Sequence, residues 1–277
     1  MDNLQRGPCV LPQPELDVWW VNIPAIDVAQ WLQKYSGRLG EQDFERLQQT
    51  RLAKGHAQFI FTRLVVRQLL SCYHPQIHSS EWRFLRGENG RPFVDPQQSP
   101  LSFNLTHSDD KLLVVFSRHA DPGIDVESWQ RQVDVQPIAE RYFYASEAKH
   151  LAQLAGNEAA QRQWFFRCWT LKEAAVKATG AGLSKALHKF EFGSEGNGQF
   201  WHRVHHETDQ IKAATMAFWS GYCEGYSVGL ACTGAGVEQL REQQPLVRQL
   251  QWPDQIGPFT IDWQYSQSKN SSTNLEP

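Results

Sequence analysis

Two rhythms of apolar positions run along the chain. Short aromatic and β-branched runs predict strands at Asp17–Ile23 (Asp-Val-Trp-Trp-Val-Asn-Ile), Trp82–Leu85, Leu101–Leu105, Leu112–Ser117 and Ile124–Val126. Later runs at Lys189–Phe192, Phe200–Val204, Met216–Cys223 and Ser227–Ala231 read the same way. Helical spacing covers 27–34 and then Glu41 to about Cys72, with a break near Gly55. There Phe59, Ile60, Leu64, Val65, Leu69 and Leu70 share one broad face. Further helices are predicted over 136–143, 146–154 and Gln161–Thr179, the last closed by Gly180 as a C-cap. Glu88-Asn89-Gly90-Arg91-Pro92 reads as a turn, and His107-Ser108-Asp109-Asp110 as a loop between two strands.

Strand, helices and several strands thus occur twice, with the join near residue 120. The expected class is α+β, with two similar halves, although no residue-level repeat is visible. The N-terminal half spans 16–120 and the C-terminal half 121–235. Residues 236–277 form an extension, and its end, Ser266–Pro277, is rich in Ser, Asn and Gln and expected to be disordered.

Composition narrows the class. The 277 residues are 41% hydrophobic and 21% charged, which is ordinary for a globular domain. The formal net charge of -3 argues against nucleic-acid binding by bulk charge. Cys9, Cys72, Cys168, Cys223 and Cys232 are odd in number, and no pair has Cys-x-x-Cys spacing. A disulfide framework or structural zinc site is therefore not expected. With no apolar segment behind a basic start, and no apolar run near ~20 residues, a cytoplasmic protein without a membrane span is expected.

Candidate chemistry centres on three carboxylates. Asp125 and Glu127, in Gly123-Ile124-Asp125-Val126-Glu127, share a face if the segment is a strand. They are either a solvated face or a pair that a divalent cation draws together. Glu173 precedes Lys177 by one helical turn, as a surface i,i+4 pair or as a metal ligand or base beside a phosphate contact. Lys172 is read as a surface lysine. His107, between Thr106 and Ser108, is a surface loop histidine or part of a phosphate pocket. Arg91 is a plain turn arginine, or it brings a basic fork and open backbone to an adenine nucleotide. Arg46, Arg51, Lys54, Arg63 and Arg67 form a basic group on the N-terminal helices, a solvated face or a source of phosphate contacts. P-loop, dinucleotide-binding and hydrolase-elbow fingerprints are absent from the sequence.

The order of these motifs carries more than any one of them. Gly90-Arg91-Pro92, Phe103–Ser108, Gly123–Glu127, Trp169-Thr170-x-Lys172-Glu173-Ala174-x-x-Lys177 and Gly180-x-Gly182-Leu183, over roughly residues 40–235, resemble the Sfp-type 4′-phosphopantetheinyl transferases. Thr106 stands where many members have Ser, and Arg91 where some have Lys. The resemblance implies transfer of the phosphopantetheine arm of coenzyme A to a serine of an acyl or peptidyl carrier protein, releasing adenosine 3′,5′-bisphosphate. It implies a pseudo-dimer of two similar halves, each a small antiparallel sheet packed with helices, with the active site in the cleft between them. Asp125, Glu127 and Glu173 would hold Mg²⁺ (or Mn²⁺), and Glu173, directly or through water, would be the base. Lys177 and His107 would contact the phosphates with Thr106 beside them, Asn89, Gly90, Arg91 and Pro92 the adenine and ribose phosphate, and Arg46 and Arg51 the 3′-phosphate. Residues 128–145, with Arg131, Arg141, Phe143 and Tyr144, are offered as a carrier dock, against an ordinary helix core with surface arginines. The internal duplication lets a monomer build the cleft. The rival functions are a metal-dependent nucleotide phosphohydrolase and a non-catalytic coenzyme A or carrier-binding module.

Overall fold

The computed structural model describes residues 9–49, 53–87, 90–180, 187–195, 199–205, 215–241 and 243–269. In chain order, β1 (Leu16–Asn22) leads to α1 (Val28–Tyr35), α2 (Glu41–Gln49) and α3 (Ala53–Tyr73). Then come β2 (Phe84–Arg86), β3 (Pro92–Val94), β4 (Ser102–Ser108), β5 (Lys111–Ser117) and β6 (Asp121–Ser128). The helices α4 (Val135–Tyr142), α5 (Ala145–Gln153) and α6 (Glu158–Thr179) follow. Next are β7 (Phe190–Ser194), β8 (Phe200–Val204), β9 (Met216–Cys223) and β10 (Tyr226–Thr233). The chain closes with β11 (Leu246–Gln251), β12 (Gln255–Pro258), β13 (Asp262–Tyr265) and β14 (Gln267–Ser268).

These elements stack as helices, sheet, sheet, helices. Trp19 and Val21 of β1 and Leu112, Val114 and Phe116 of β5 face α3 through Phe61, Val65 and Leu69. Val18, Trp20, Leu113 and Val115, on the other face, meet Ile124, Val126, Val228 and Leu230 of the second sheet. The outer face of that sheet carries Met216, Phe218 and Ala231 against α4–α6. A strand buried on both faces has no polar side to alternate with, which is why Val18-Trp19-Trp20-Val21 is continuously apolar. The five-stranded sheet runs β12-β11-β1-β5-β4 and the four-stranded sheet β13-β9-β10-β6. Their edge strands β4 and β6 adjoin, and the Asn104 side chain accepts the Ile124 N–H at 3.1 Å. The fold is α+β with several small sheets, as read from the sequence.

Several elements depart from the expected ones. Gly55 lies inside α3 rather than at a break, and residues 50–52 lie outside the described residues. His107 sits on β4, which runs on to Ser108, because the two-residue turn Asp109-Asp110, with Asp109 at φ 51°, suffices to reverse the chain. Residues beyond 235 are woven into the fold. β11 pairs parallel with β1, β13 pairs with β9, and β14 pairs with β8. The first sheet is therefore mixed rather than purely antiparallel. Ser266, in the tail expected to be disordered, is fully buried and bonded to His202; residues 270–277 lie outside the described residues.

Candidate active site

The site begins with glycines. On β6 the odd positions Gly123, Asp125 and Glu127 face α6, while Ile124 and Val126 point between the sheets. A Cβ on Gly123 would stand 2.1 Å from the Ala174 carbonyl oxygen and 2.4 Å from the Ala178 nitrogen. Gly229, directly across from Asp125 on β10, would put a Cβ 2.3 Å from the Thr170 carbonyl. Missing side chains therefore let the helix backbone lie against the sheet. The i,i+4 pair Glu173 and Lys177 arrives beside the strand carboxylates for that reason. Asn157 caps the start of α6 through the Ala160 N–H, and Gly180 ends it at φ 66°.

Lys177 is the hub. Its Nζ donates to Asp125 Oδ1 at 2.8 Å, to the Ile124 carbonyl at 3.0 Å and to Thr106 Oγ1 at 3.2 Å. Thr106 in turn donates to Asp125 Oδ1 at 3.0 Å. Glu127 is taken up by Arg131, one helical-turn spacing further on. Burial first, and then the charge of Asp125, push the Glu173 carboxyl up to about 7, with Lys177 opposing and Glu127 adding. Burial, then Asp125, also raise Glu127, against the pull of Arg131 and Lys177. Three carboxylates, two of them buried, thus crowd one place with negative charge that Lys177 and Arg131 only partly offset.

As the side chains stand, no group of three His, Cys, Asp or Glu among the described residues closes around a single point that could hold a metal ion. Lys177 and Arg131 occupy oxygens of Asp125 and Glu127. The donor chemistry nevertheless fits a hard cation. Asp125 Oδ2 is buried without a partner, all three groups offer carboxylate oxygens, and each would lose repulsion with a cation between them.

The opposite face of β4 forms a second feature. His107 is exposed there and lines a cavity of about 300 Å³ with Arg46, Arg63, Arg86, Phe59 and Pro92. A neighbouring cavity of about 240 Å³ shares Arg46, Arg63, Arg86 and Pro92. Burial lowers the Arg63 pKa; Asp43 opposes this, while Arg67, Arg86 and Arg46 repel it further. Clustered guanidiniums of this kind suit phosphate oxygens. Thr106 and His107, adjacent in sequence, therefore serve the carboxylate site and the basic groove respectively.

Other expected positions land elsewhere. Arg51, Asn89, Gly182 and Leu183 lie outside the described residues. Gly90 occupies the left-handed region at φ 77°, in the hairpin between β2 and β3. The Arg91 fork donates to four carbonyls, so the turn is left with its backbone to offer a ligand. Arg67 is not on a solvated face; it is fully buried, 2.6 Å from Asp43, and donates to the Ser79 and Trp82 carbonyls. Lys172 is not a surface lysine. It is sealed in the core 2.8 Å from Glu147, because the face of α6 that carries it turns towards α5 and β7. Phe143 fills the core and cannot meet a partner, whereas Arg131 and Arg141 are exposed. Sequence reading missed Arg86 and Gly229, and held Asn104 within the Phe103–Ser108 motif without a role of its own. Arg86 was visible only as one more arginine, and the other two matter through cross-strand register.

Residues 121–231 match the family model of the 4′-phosphopantetheinyl transferase superfamily. The match starts with β6 and runs through α6 into β10, the elements that carry the three carboxylates and Lys177. A Synechocystis protein provisionally named a 4′-phosphopantetheinyl transferase is 24% identical over 260 residues, 88% of this chain and 97% of that one. The 4′-phosphopantetheinyl transferase HetI of a Nostoc strain is 28% identical over 173 residues, 62% of this chain and 71% of its own. Sfp of Bacillus subtilis, a transferase of the same name, is 31% identical over 136 residues, 49% of this chain and 58% of its own.

Proposed function

We infer that this chain is a 4′-phosphopantetheinyl transferase, moving the phosphopantetheine arm of coenzyme A to a serine of an acyl or peptidyl carrier protein. The observation that carries the reading is the coincidence of the family match with β6 and α6, the elements that gather Asp125, Glu127, Glu173 and Lys177. In this reading the two helix-on-sheet layers are the halves of a pseudo-dimer, with substrates between them, and the monomer is sufficient. A cytoplasmic setting agrees with the five free cysteines. Among the described residues no helix is long and apolar enough to cross a membrane.

Each residue then has a role. Asp125, Glu127 and Glu173 would hold Mg²⁺ or Mn²⁺. A cation held there would supply positive charge to the pyrophosphate oxygens. Glu173, directly or through a water, takes the proton of the carrier serine hydroxyl as that oxygen attacks the β-phosphate. Lys177 and Thr106 contact the pyrophosphate. Arg46, with Arg63, Arg86 and His107 in the same groove, receives the ribose phosphate end. The Gly90–Pro92 backbone borders the adenine. Adenosine 3′,5′-bisphosphate leaves, and the phosphopantetheine stays on the serine.

The test is the intact mass of an apo carrier protein incubated with the chain, coenzyme A and Mg²⁺. A gain of one phosphopantetheine is expected. No gain across fatty-acid, polyketide and peptide carriers would overturn the reading. Coenzyme A breakdown without a carrier would instead support a phosphohydrolase.

A further inference from the structure

We propose that Arg91 is a positioning residue, which locks the last turn of α6 to β4 and β6 and so sets Lys177 and Glu173 against Asp125. Its effect on activity rests on the transferase reading; its effect on the backbone does not.

The geometry is a four-way clamp. Arg91 Nη1 donates to the Lys177 carbonyl at 2.9 Å and the Ala178 carbonyl at 3.1 Å. Nη2 donates to the Pro122 carbonyl at 2.9 Å and the Phe103 carbonyl at 3.3 Å. One planar fork thus ties the end of α6, the start of β6 and β4. The last carbonyls of a helix have no partner within it, and a cation there also meets the negative end of the helix dipole. Lys177 is held at both ends, its carbonyl by Arg91 and its ammonium by Asp125, Thr106 and the Ile124 carbonyl.

The clamp is itself stiffened. Arg91 lies just before β3, and its own carbonyl accepts the Gly87 N–H at 3.0 Å across the hairpin. A lysine could keep the charge but not the fork, since an ammonium has no planar pair of nitrogens to reach two carbonyls on each side. That sets this role apart from a nucleotide contact. A charge that merely met a phosphate would survive Arg91→Lys.

The experiment compares wild type, Arg91→Lys and Arg91→Ala by steady-state transfer to a carrier and by amide hydrogen exchange, at a temperature where each is folded. In Arg91→Lys, kcat falls roughly ten- to a hundredfold, the range for removing a supporting hydrogen-bond partner, while KM for coenzyme A is unchanged. Exchange quickens in residues 121–126 and 174–180. Unchanged kcat and KM in Arg91→Lys, with KM raised only in Arg91→Ala, would overturn the clamp in favour of a nucleotide contact. So would unchanged exchange in those two segments. If Arg91→Ala does not fold, Arg91→Lys decides by the same readouts. A wild type that transfers nothing would sink the transferase reading and leave the exchange result to decide the clamp.

Discussion

Two lysines five residues apart on α6 make the same contact and do different things. Lys172 stands 2.8 Å from Glu147, and Lys177 stands 2.8 Å from Asp125. Five residues turn a helix by well over a third of a revolution past one full turn, so the two point to different sides. Both members of the first pair are 0% exposed. Every neighbour satisfies them: Lys172 also donates to the Leu187 and Phe190 carbonyls, and Glu147 accepts the N–H groups of Tyr144 and Phe192. In the second pair Lys177 is 27% exposed and Asp125 keeps a bare buried oxygen. A completed pair joins α5, α6 and β7. An incomplete pair, beside two further carboxylates, has capacity left for a ligand.

The comparison can be broken by mutation. Lys172→Met strands the Glu147 carboxylate in the core and is expected to cost about 3–5 kcal/mol of stability. Lys177→Met should cost clearly less, because water reaches its site. Denaturant titration of the two variants decides, and equal losses would erase the distinction. On the other side of it, Glu173→Gln should lower kcat roughly 10²–10⁴-fold, the usual worth of a positioned base, with the unfolding midpoint at or above wild type because a repelled charge is removed. Near-normal turnover would remove Glu173 from the chemistry.

A smaller effect concerns acid. Burial, with Arg241 adding repulsion, pulls the His202 pKa down to about 4. The unfolded chain binds that proton below about 6.5 and the folded chain only below about 4. The unfolded state thus carries more protons between those values, so stability rises with pH through the window and is lost on acidification. The full effect is at most about 3 kcal/mol. His202→Gln should flatten stability between pH 4 and 6.5, and an unchanged slope would assign the acid limb to other groups.

Much of the fold was legible because its signals are local. Phe200–Val204 and Met216–Cys223 were read with the observed bounds, and Gly180 closes α6 as expected. The tail was not legible. Leu246–Gln251 has no aromatic residue, and it becomes a strand because β1 offers it a parallel edge 229 positions earlier in sequence, with Asp17 opposite Leu246. The surface reading of Lys172 failed for a related reason. A charged residue on a helix tells nothing of a buried carboxylate on another element until the two are packed together.

The amino-acid sequence by itself determined most of the elements before residue 235, the α+β class, the motif order and the residue types of the site, since these follow from periodicity, capping and chemistry within short windows. Tertiary structure alone decided which charges are sealed and which are open. It put Thr106 on the carboxylate face of β4 and His107 on the basic face. It turned Arg91 towards four carbonyls, and it used Gly123 and Gly229 to bring α6 onto β6. Those outcomes depend on close approach between distant segments, and a one-dimensional pattern carries no distance between residues that are far apart along it.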